Sequence, residues 1–120
     1  QKGAEFMTID RSRGEWGEAA DDVAAMSINY LFFSLQHHGR LAGAYERLFH
    51  LFWETYLSQT GDDEIHEVIQ PFYAWRGLVV ASPVWYPKLP SGVREALFNF
   101  IANVLETPRF EPERINEYLT

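Results

Sequence analysis

The stretch that decides the fold is "DDVAAMSINYLFFSLQHHG", residues 21–39. Apolar side chains recur in it at helical spacing and cover most sides of a helix from about Asp21 to Gln36. A helix that is apolar on most sides must be covered by others, so the pattern predicts a central buried helix. Asp21 or Asp22 is typical of a helix N-cap, and Gly39 is typical of the position after a helix. The apolar positions are Val23, Met26, Ile28, Tyr30, Leu31, Phe33 and Leu35.

A second helix is predicted next in the chain, from roughly Arg40 to Gln59, and Gly61 is predicted to end it. The link around Gly39 is short, so the first two helices should be antiparallel neighbours. The second helix carries one broad apolar stripe, formed by Leu41, Tyr45, Leu48, Phe49, Phe52, Trp53 and Tyr56.

A third helix is predicted to open at Asp62-Asp63-Glu64, where acidic side chains favour the positive end of the helix dipole. It should run to about Ala81 with a kink or break at Pro71, which lacks a backbone donor and clashes with the preceding turn. The segment "SPVWYPKLPSG" that follows holds three prolines and is predicted to be a loop of about ten residues.

Two further helices complete the predicted fold. Ser91 is expected to cap a fourth helix from Val93 to Glu106, and a short one should span Pro112 to Tyr118. Strand-like alternation occurs only at Thr8 to Asp10. The predicted fold is therefore all-α, with four main helices and a short C-terminal helix in one domain, residues 7–120. The residues expected to face inward on the fourth helix are Val93, Leu97, Phe100, Ile101, Val104 and Leu105.

Composition excludes several classes of function. The net charge of −7 disfavours binding to nucleic acid or to an anionic membrane surface. The chain has no cysteine, which excludes disulfides and thiolate chemistry and suggests an intracellular, cytoplasmic protein. No apolar run reaches the ~20 residues of a membrane span. Residues 1–6, "QKGAEF", look like a cloning junction, since an EcoRI site encodes Glu-Phe, and they are set aside.

Most polar clusters have an ordinary structural interpretation. The four histidines lack zinc-ligand spacing and suit a helix end or a satisfied interior site. The acidic set could attract a cationic ligand, but a solvated helix N-terminus is the favoured interpretation, because the helix dipole stabilises acids there. The aromatic set suits packing or an interface, with a pocket wall as the alternative. The acidic set is Asp62, Asp63, Glu64 and Glu67, and the aromatic set is Phe72, Tyr73, Trp75, Trp85 and Tyr86.

One early carboxylate has a chemical interpretation. Asp10 follows an apolar residue and precedes a polar loop, a setting in which aspartate can hold magnesium near phosphates. Asp22 comes twelve residues later, at the predicted start of a helix, with Gly17 between the two aspartates. The chain contains no phosphate-binding loop, dinucleotide fingerprint or hydrolase elbow.

The pattern "ID…GEAADDVA" resembles the segment after the catalytic loop in the aminoglycoside phosphotransferase / choline kinase-like family, which has a protein-kinase-like fold. That family carries Ile-Asp, a short loop and then Gly-Asp-Pro-x-x-Asp-Leu-Ala. The resemblance implies that Asp10 binds the metal, that Gly17 is the motif glycine and that Asp22 heads the next helix and braces the catalytic loop. Glu18 and Ala19 depart from the family's Asp-Pro.

The resemblance extends over nearly all of Met7 to Leu119 and implies a kinase-like C-lobe helical subdomain. Full-length relatives use magnesium and ATP. Their catalytic loop, His-Gly-Asp-x-x-x-x-Asn, and their N-terminal lobe would lie before Met7, so the chain alone is expected to bind neither cofactor tightly and to be inactive. The substrate-side wall is expected to include Asp62, Asp63, Trp75 and Trp85.

Two hypotheses of function follow. In the first, the chain is the C-terminal helical part of a small-molecule phosphotransferase. In the second, it is a free-standing helical module for interaction or oligomerisation, without catalysis. Both predict a homo-oligomer formed through exposed apolar surface. A helical bundle without kinase ancestry is the remaining alternative.

Overall fold

The computed structural model describes the backbone of residues 13–84 and 86–120, and the side chains from Ala19 onward apart from Trp85. These residues form helices and connecting turns and contain no β-strand, which confirms the all-α prediction. The elements are α1 (Arg13–His38), α2 (Gly43–Thr60), α3 (Ile65–Val68), α4 (Gln70–Ala81), α5 (Ser91–Leu105) and a C-terminal 3₁₀ helix (Pro112–Leu119). The strand-like residues Thr8 to Asp10 lie outside the described part.

α1 is the central helix, as its apolar pattern predicts. It packs against α2, α3, α4 and α5. Two of its apolar side chains differ from the prediction, because Met26 and Phe33 are about half exposed. The central helix is therefore covered on one side and open on another. Its buried residues are Ala20, Val23, Ala24, Ser27, Ile28, Leu31, Phe32, Ser34 and Leu35.

The start of α1 corrects the sequence-based prediction. The helix begins at Arg13, so Asp21 and Asp22 lie in its interior and cannot cap it, and Gly17 is helical too. Glycine and acids made this segment look like a loop, but such propensities are weak beside tertiary packing. Non-local packing begins at the predicted helix start: Ala20 is fully buried, and Asp21 accepts two hydrogen bonds from Arg76 of α4 at 3.1 and 3.0 Å.

The turn between α1 and α2 matches the prediction. Gly39 adopts a φ of 75° and its N–H donates to the Leu35 carbonyl at 3.0 Å, an arrangement that ends a helix. Ring contacts join Tyr30 to Phe52 and, further along α1, His37 to Tyr45. From the first contact to the second, the residue number in α1 rises from 30 to 37 while that in α2 falls from 52 to 45, so the two helices are antiparallel.

The end of α2 and the break at Pro71 also follow the prediction. Gly61, at a φ of 66°, ends α2 and donates its N–H to Leu57. α3 and α4 meet at Ile69, and Pro71 lies in the first turn of α4, where a missing N–H costs little. The Tyr73 N–H still reaches the Ile69 carbonyl at 2.9 Å, so the interruption is confined to one residue.

α5 departs from the prediction at both ends. It begins at Ser91 with Pro90 as the preceding residue, so Ser91 is the first helical residue and does not cap the helix. Leu105 was expected to face inward but is 55% exposed. The predicted short C-terminal helix is present as a 3₁₀ helix. Asn99 and Asn103 of α5 donate side-chain hydrogen bonds to carbonyls of its last turn and fasten it to α5.

Gly77 sets the distance between α4 and α5. A Cβ atom at this position would lie 2.9 Å from Cγ1 of Ile101, whereas a Cβ at Gly92 would meet nothing within 4 Å. We expect Gly92→Ala to stabilise the protein by up to about 1 kcal/mol, because alanine favours helix. Gly77→Ala should not be stabilised in this way, because its Cβ would crowd Ile101. We expect its free energy of unfolding to be about 1–2 kcal/mol lower than that of Gly92→Ala. Urea unfolding of the two variants measures the difference, and equal stabilities would contradict this packing.

Candidate functional site

The residues expected to form the magnesium site are only partly described. Asp10 lies outside the described residues, so its proposed metal role stays a prediction. Gly17 is described by its backbone alone, inside α1. Asp22 is an exposed residue of α1 and does not head the helix, which corrects its expected position. Within the described part of the chain, no three His, Asp or Glu side chains are placed to share a metal ion.

Asp62 is a buried carboxylate, contrary to the interpretation of its segment as a solvated helix end. Its side chain is 8% exposed and its Oδ2 accepts a hydrogen bond from the Tyr56 hydroxyl at 2.6 Å. Its backbone N–H donates to Thr60 Oγ1 at 3.1 Å. Among the described side chains, none donates a hydrogen bond to its buried Oδ1. Asp62 therefore anchors the link between α2 and α3 from inside.

Asp63, the next residue, is exposed and belongs to a surface charge cluster. Its Oδ1 lies 3.0 Å from Nη2 of Arg109, whose guanidinium also lies 3.7 Å from Glu67 and 3.5 Å from Glu111. The hydrogen bond to Asp63 is the main cause that raises the pKa of Arg109, and the charges of the three carboxylates add to it. Exposed pairs of this kind contribute little to stability, because water and salt screen them. The arginine occupies the site where a cationic ligand would bind.

His66 lies beneath that cluster and fastens the C-terminal segment to α3. Its Nδ1 is 2.8 Å from the Phe110 carbonyl oxygen, and the Phe110 N–H donates to the His66 carbonyl at 2.7 Å. Its ring stacks on Trp53 with centroids 5.4 Å apart. Gln70 adds hydrogen bonds to the carbonyls of His66 and Thr107. The expectation of a satisfied interior histidine is confirmed, and these contacts describe a structural group.

Tyr73 is the centre of the most deeply buried polar network. Trp53 Nε1 donates to its hydroxyl oxygen at 3.1 Å, and the hydroxyl lies 2.6 Å from Ser27 Oγ. Ser27 gives its own proton to the Val23 carbonyl, so Tyr73 is the donor in the bond to Ser27. Burial raises the pKa of Tyr73 above its ordinary value, although the hydrogen bond received from Trp53 opposes the shift. The hydroxyl is therefore neutral, satisfied and closed to a substrate.

The structure does not gather the expected substrate wall into one surface. Asp62 points inward to α2, Asp63 pairs with Arg109, and Trp75 is 60% exposed on the outer face of α4. Trp85 lies outside the described residues. The aromatic set was expected to pack in the core or at an interface, and Tyr73 packs while Trp75 does not.

Most of the exposed large apolar side chains lie on two pairs of helices, and the others, Val68, Val84 and Tyr86, lie on α3 and in the loop after α4. The first, called here the α1–α2 face, joins Met26 and Phe33 of α1 to Leu48 and Leu51 of α2, and the half-buried Tyr30, Tyr45 and Phe52 lie between them. The second lies on α4 and α5 and consists of Trp75, Leu78, Phe98 and Leu105. The expectation of exposed apolar surface is confirmed, and association through it stays a prediction.

Known proteins do not identify the chain. No family model matches it, and neither a curated protein nor a solved structure matches it. None of the described helices combines the length and the apolar character needed to cross a membrane.

Proposed function

We propose that this chain is the C-terminal helical part of a small-molecule phosphotransferase of the aminoglycoside phosphotransferase / choline kinase-like kind. Asp10 would hold magnesium beside the phosphates of ATP, and the helices would carry the substrate-side wall. One observation in the structure supports this most: the central helix is covered on one side only. Asp22, Met26, Asn29 and Phe33 recur at spacings of four, three and four residues and are all exposed. In the proposed phosphotransferase, the part of the protein that carries the catalytic loop would cover this face.

The position of Asp22 is compatible with the proposed brace. It lies on the same open face as Met26 and Phe33, about one and three turns away along α1. A carboxylate beside an uncovered apolar surface can accept backbone N–H bonds from a segment that packs there, and charge-assisted bonds of this type are strong. Asp22 would therefore brace the catalytic loop from a position inside α1, whereas the family motif places this aspartate at the start of the helix.

The chain alone is expected to be catalytically inactive. Phosphoryl transfer depends on positioned metal ions, a residue that orients the nucleophile and cationic charge stabilisation, and only Asp10 of that set is recognised here. We expect no magnesium-dependent ATP hydrolysis above background, with parent and Asp10→Asn indistinguishable in a phosphate-release assay. Hydrolysis by the parent that is abolished in Asp10→Asn would contradict the expected inactivity.

The gene tests the proposed origin directly. A reading frame that continues upstream of Met7 and encodes His-Gly-Asp-x-x-x-x-Asn would support it. In the protein made from that frame, Asp10→Asn should lower kcat by about 100-fold or more, since a metal ligand stabilises charge in the transition state. Glu106→Gln, a change at the exposed residue directly after α5, serves as the control and should leave kcat unchanged. An active Asp10→Asn enzyme would refute the proposed metal role.

A second function, a free-standing helical module that associates with itself, is favoured by the two exposed apolar surfaces. A ribosome-binding site and a stop codon directly upstream of Met7 would support this alternative. The absence of cysteine fits a cytoplasmic location in either case. Under both functions we expect a homo-oligomer, and sedimentation as a clean monomer at high micromolar concentration would count against it.

A further inference from the structure

The outward side of α2 carries a regular seam of uncharged residues. Its members follow one another at spacings of four, three, four and three residues, the a/d pattern of a coiled coil. All five are exposed, while Phe49, Trp53 and Tyr56 on the other side of the helix are buried. Leu48 and Leu51, at the centre of this seam, are 43% and 59% exposed, and such a pair of apolar a and d residues favours packing against a partner helix. The α2 seam consists of Ala44, Leu48, Leu51, Thr55 and Ser58.

The two edges of the α2 seam differ in chemistry. Arg47 and Glu54 flank it on one edge, one heptad apart, and both are exposed. Neither forms an ion pair within the described part of the chain. Tyr45 and Phe52 flank the opposite edge, also one heptad apart, and are half-buried against α1. The charged edge carries one positive and one negative group. It is therefore complementary in charge to the same edge of a second copy that runs in the opposite direction.

We propose that the α2 seam is a homodimer interface in which two copies of α2 pack antiparallel about a twofold axis. In this register Leu48 lies opposite Leu51 of the second copy, and Ala44 lies opposite its Thr55. Arg47 then faces Glu54 of the second copy twice across the axis, which is the arrangement of g positions in antiparallel coiled coils. A parallel pair would place the charged edge of one helix against the aromatic edge of the other.

Self-complementary charge is the reason to choose a second copy over another partner. In a twofold dimer the same patch of each copy faces the other. Charges are complementary across such an interface only if each copy carries both a positive and a negative group, as Arg47 and Glu54 provide. Leu48 and Leu51 together expose roughly 200 Å² in each copy, at about 200 Å² for a full side chain. With the rim, such a dimer falls at or below the low end of specific interfaces, and its affinity should be micromolar or weaker.

This inference rests on the proposed self-association and names its surface and register. It is independent of phosphotransferase ancestry.

Analytical ultracentrifugation of the whole chain over a concentration series tests the surface. Leu51→Gln should weaken the dimer at least tenfold, because it places two polar groups at the centre of the interface. The matched control is Leu78→Gln on α4, a leucine of similar exposure (46%, against 59% for Leu51) on the other apolar surface. It should leave the dimer unchanged. Circular dichroism of both variants checks that the helices persist.

Charge exchange tests the register. Arg47→Glu and Glu54→Arg should each weaken the dimer by about threefold to tenfold, because each places like charges opposite one another. The double variant should recover the affinity of the parent. Single exchanges without effect, or a double variant that stays weak, would overturn the antiparallel register.

The remaining outcomes separate the proposals. A parent that stays monomeric at high micromolar concentration would overturn both the self-association and the interface. A dimer that withstands Leu51→Gln but is weakened by Leu78→Gln would leave self-association standing and overturn the α2 seam as its surface.

Discussion

Replacement of Phe110 by alanine is expected to destabilise the protein by about 3–5 kcal/mol, the cost of removing a large aromatic side chain from a packed core. Phe110 is fully buried although it lies in an irregular segment between α5 and the 3₁₀ helix. Its ring lies 5.6 Å from that of Trp53, 4.9 Å from that of Tyr73 and 5.3 Å from that of Tyr118. The cavity would open where α2, α4 and the C-terminal segment meet.

Urea unfolding followed by circular dichroism measures this effect. Phe98→Ala is the matched control, because Phe98 is 47% exposed on α5 and should cost about 1 kcal/mol or less. The hydrogen bonds that the Phe110 backbone makes with the His66 side chain and backbone remain in the variant, so the difference reports the ring alone. Equal losses in the two variants would refute the central place of Phe110 in the core.

Tyr73→Phe is expected to cost about 2–3 kcal/mol although it removes a single oxygen atom. The change leaves the buried Trp53 Nε1–H without its acceptor, and it removes the proton that Tyr73 donates to Ser27. A buried donor without an acceptor costs ~1–3 kcal/mol. Thermal unfolding would detect the loss as a lower Tm. A double-mutant cycle with Trp53→Phe isolates this cause: in the Trp53→Phe background the orphaned donor is absent, so Tyr73→Phe should cost less there than in the parent. A Tyr73→Phe protein as stable as its parent would refute it.

The same tyrosine predicts a dependence on alkaline pH. Burial favours the neutral phenol, so the pKa of Tyr73 is higher in the folded chain than the ~10 of an unfolded one. Its stabilising contribution is complete below pH ~10 and is lost as pH rises from that value towards the folded pKa. Above pH ~10 the free energy of unfolding should therefore fall more steeply in the parent than in Tyr73→Phe. Parallel curves in that range would contradict the prediction.

Local signals predicted most helix ends correctly, and non-local contacts explain the failures. Gly39 and Gly61 end helices because each adopts a positive φ, a property that glycine provides wherever it stands. The start of α1 could not be predicted from neighbours in sequence. Near it, Ala20 enters the core and Asp21 pairs with Arg76, 55 residues away in the chain, and neither contact is visible in a local pattern.

The residues of the proposed sites also divide into features visible in the sequence and features set by non-local contacts. The pattern of Asp10, Gly17 and Asp22 is visible in sequence, but the structure moves Asp22 from the expected helix start to an open face of α1. The adjacent Asp62 and Asp63 have the same local chemistry and opposite environments. Tyr56 holds the first inside, and Arg109 holds the second at the surface.

Periodicity, glycine and proline act over a few residues, so the helical class, the order of the helices and the break near Pro71 follow from local patterns in the chain. The covered side of α1, the buried aspartate and the open side of α2 follow from how the helices pack. Burial depends on contacts between residues far apart in the chain, and no local pattern contains them. The α2 seam can be read as spacing in the sequence, but only packing shows that it faces outward.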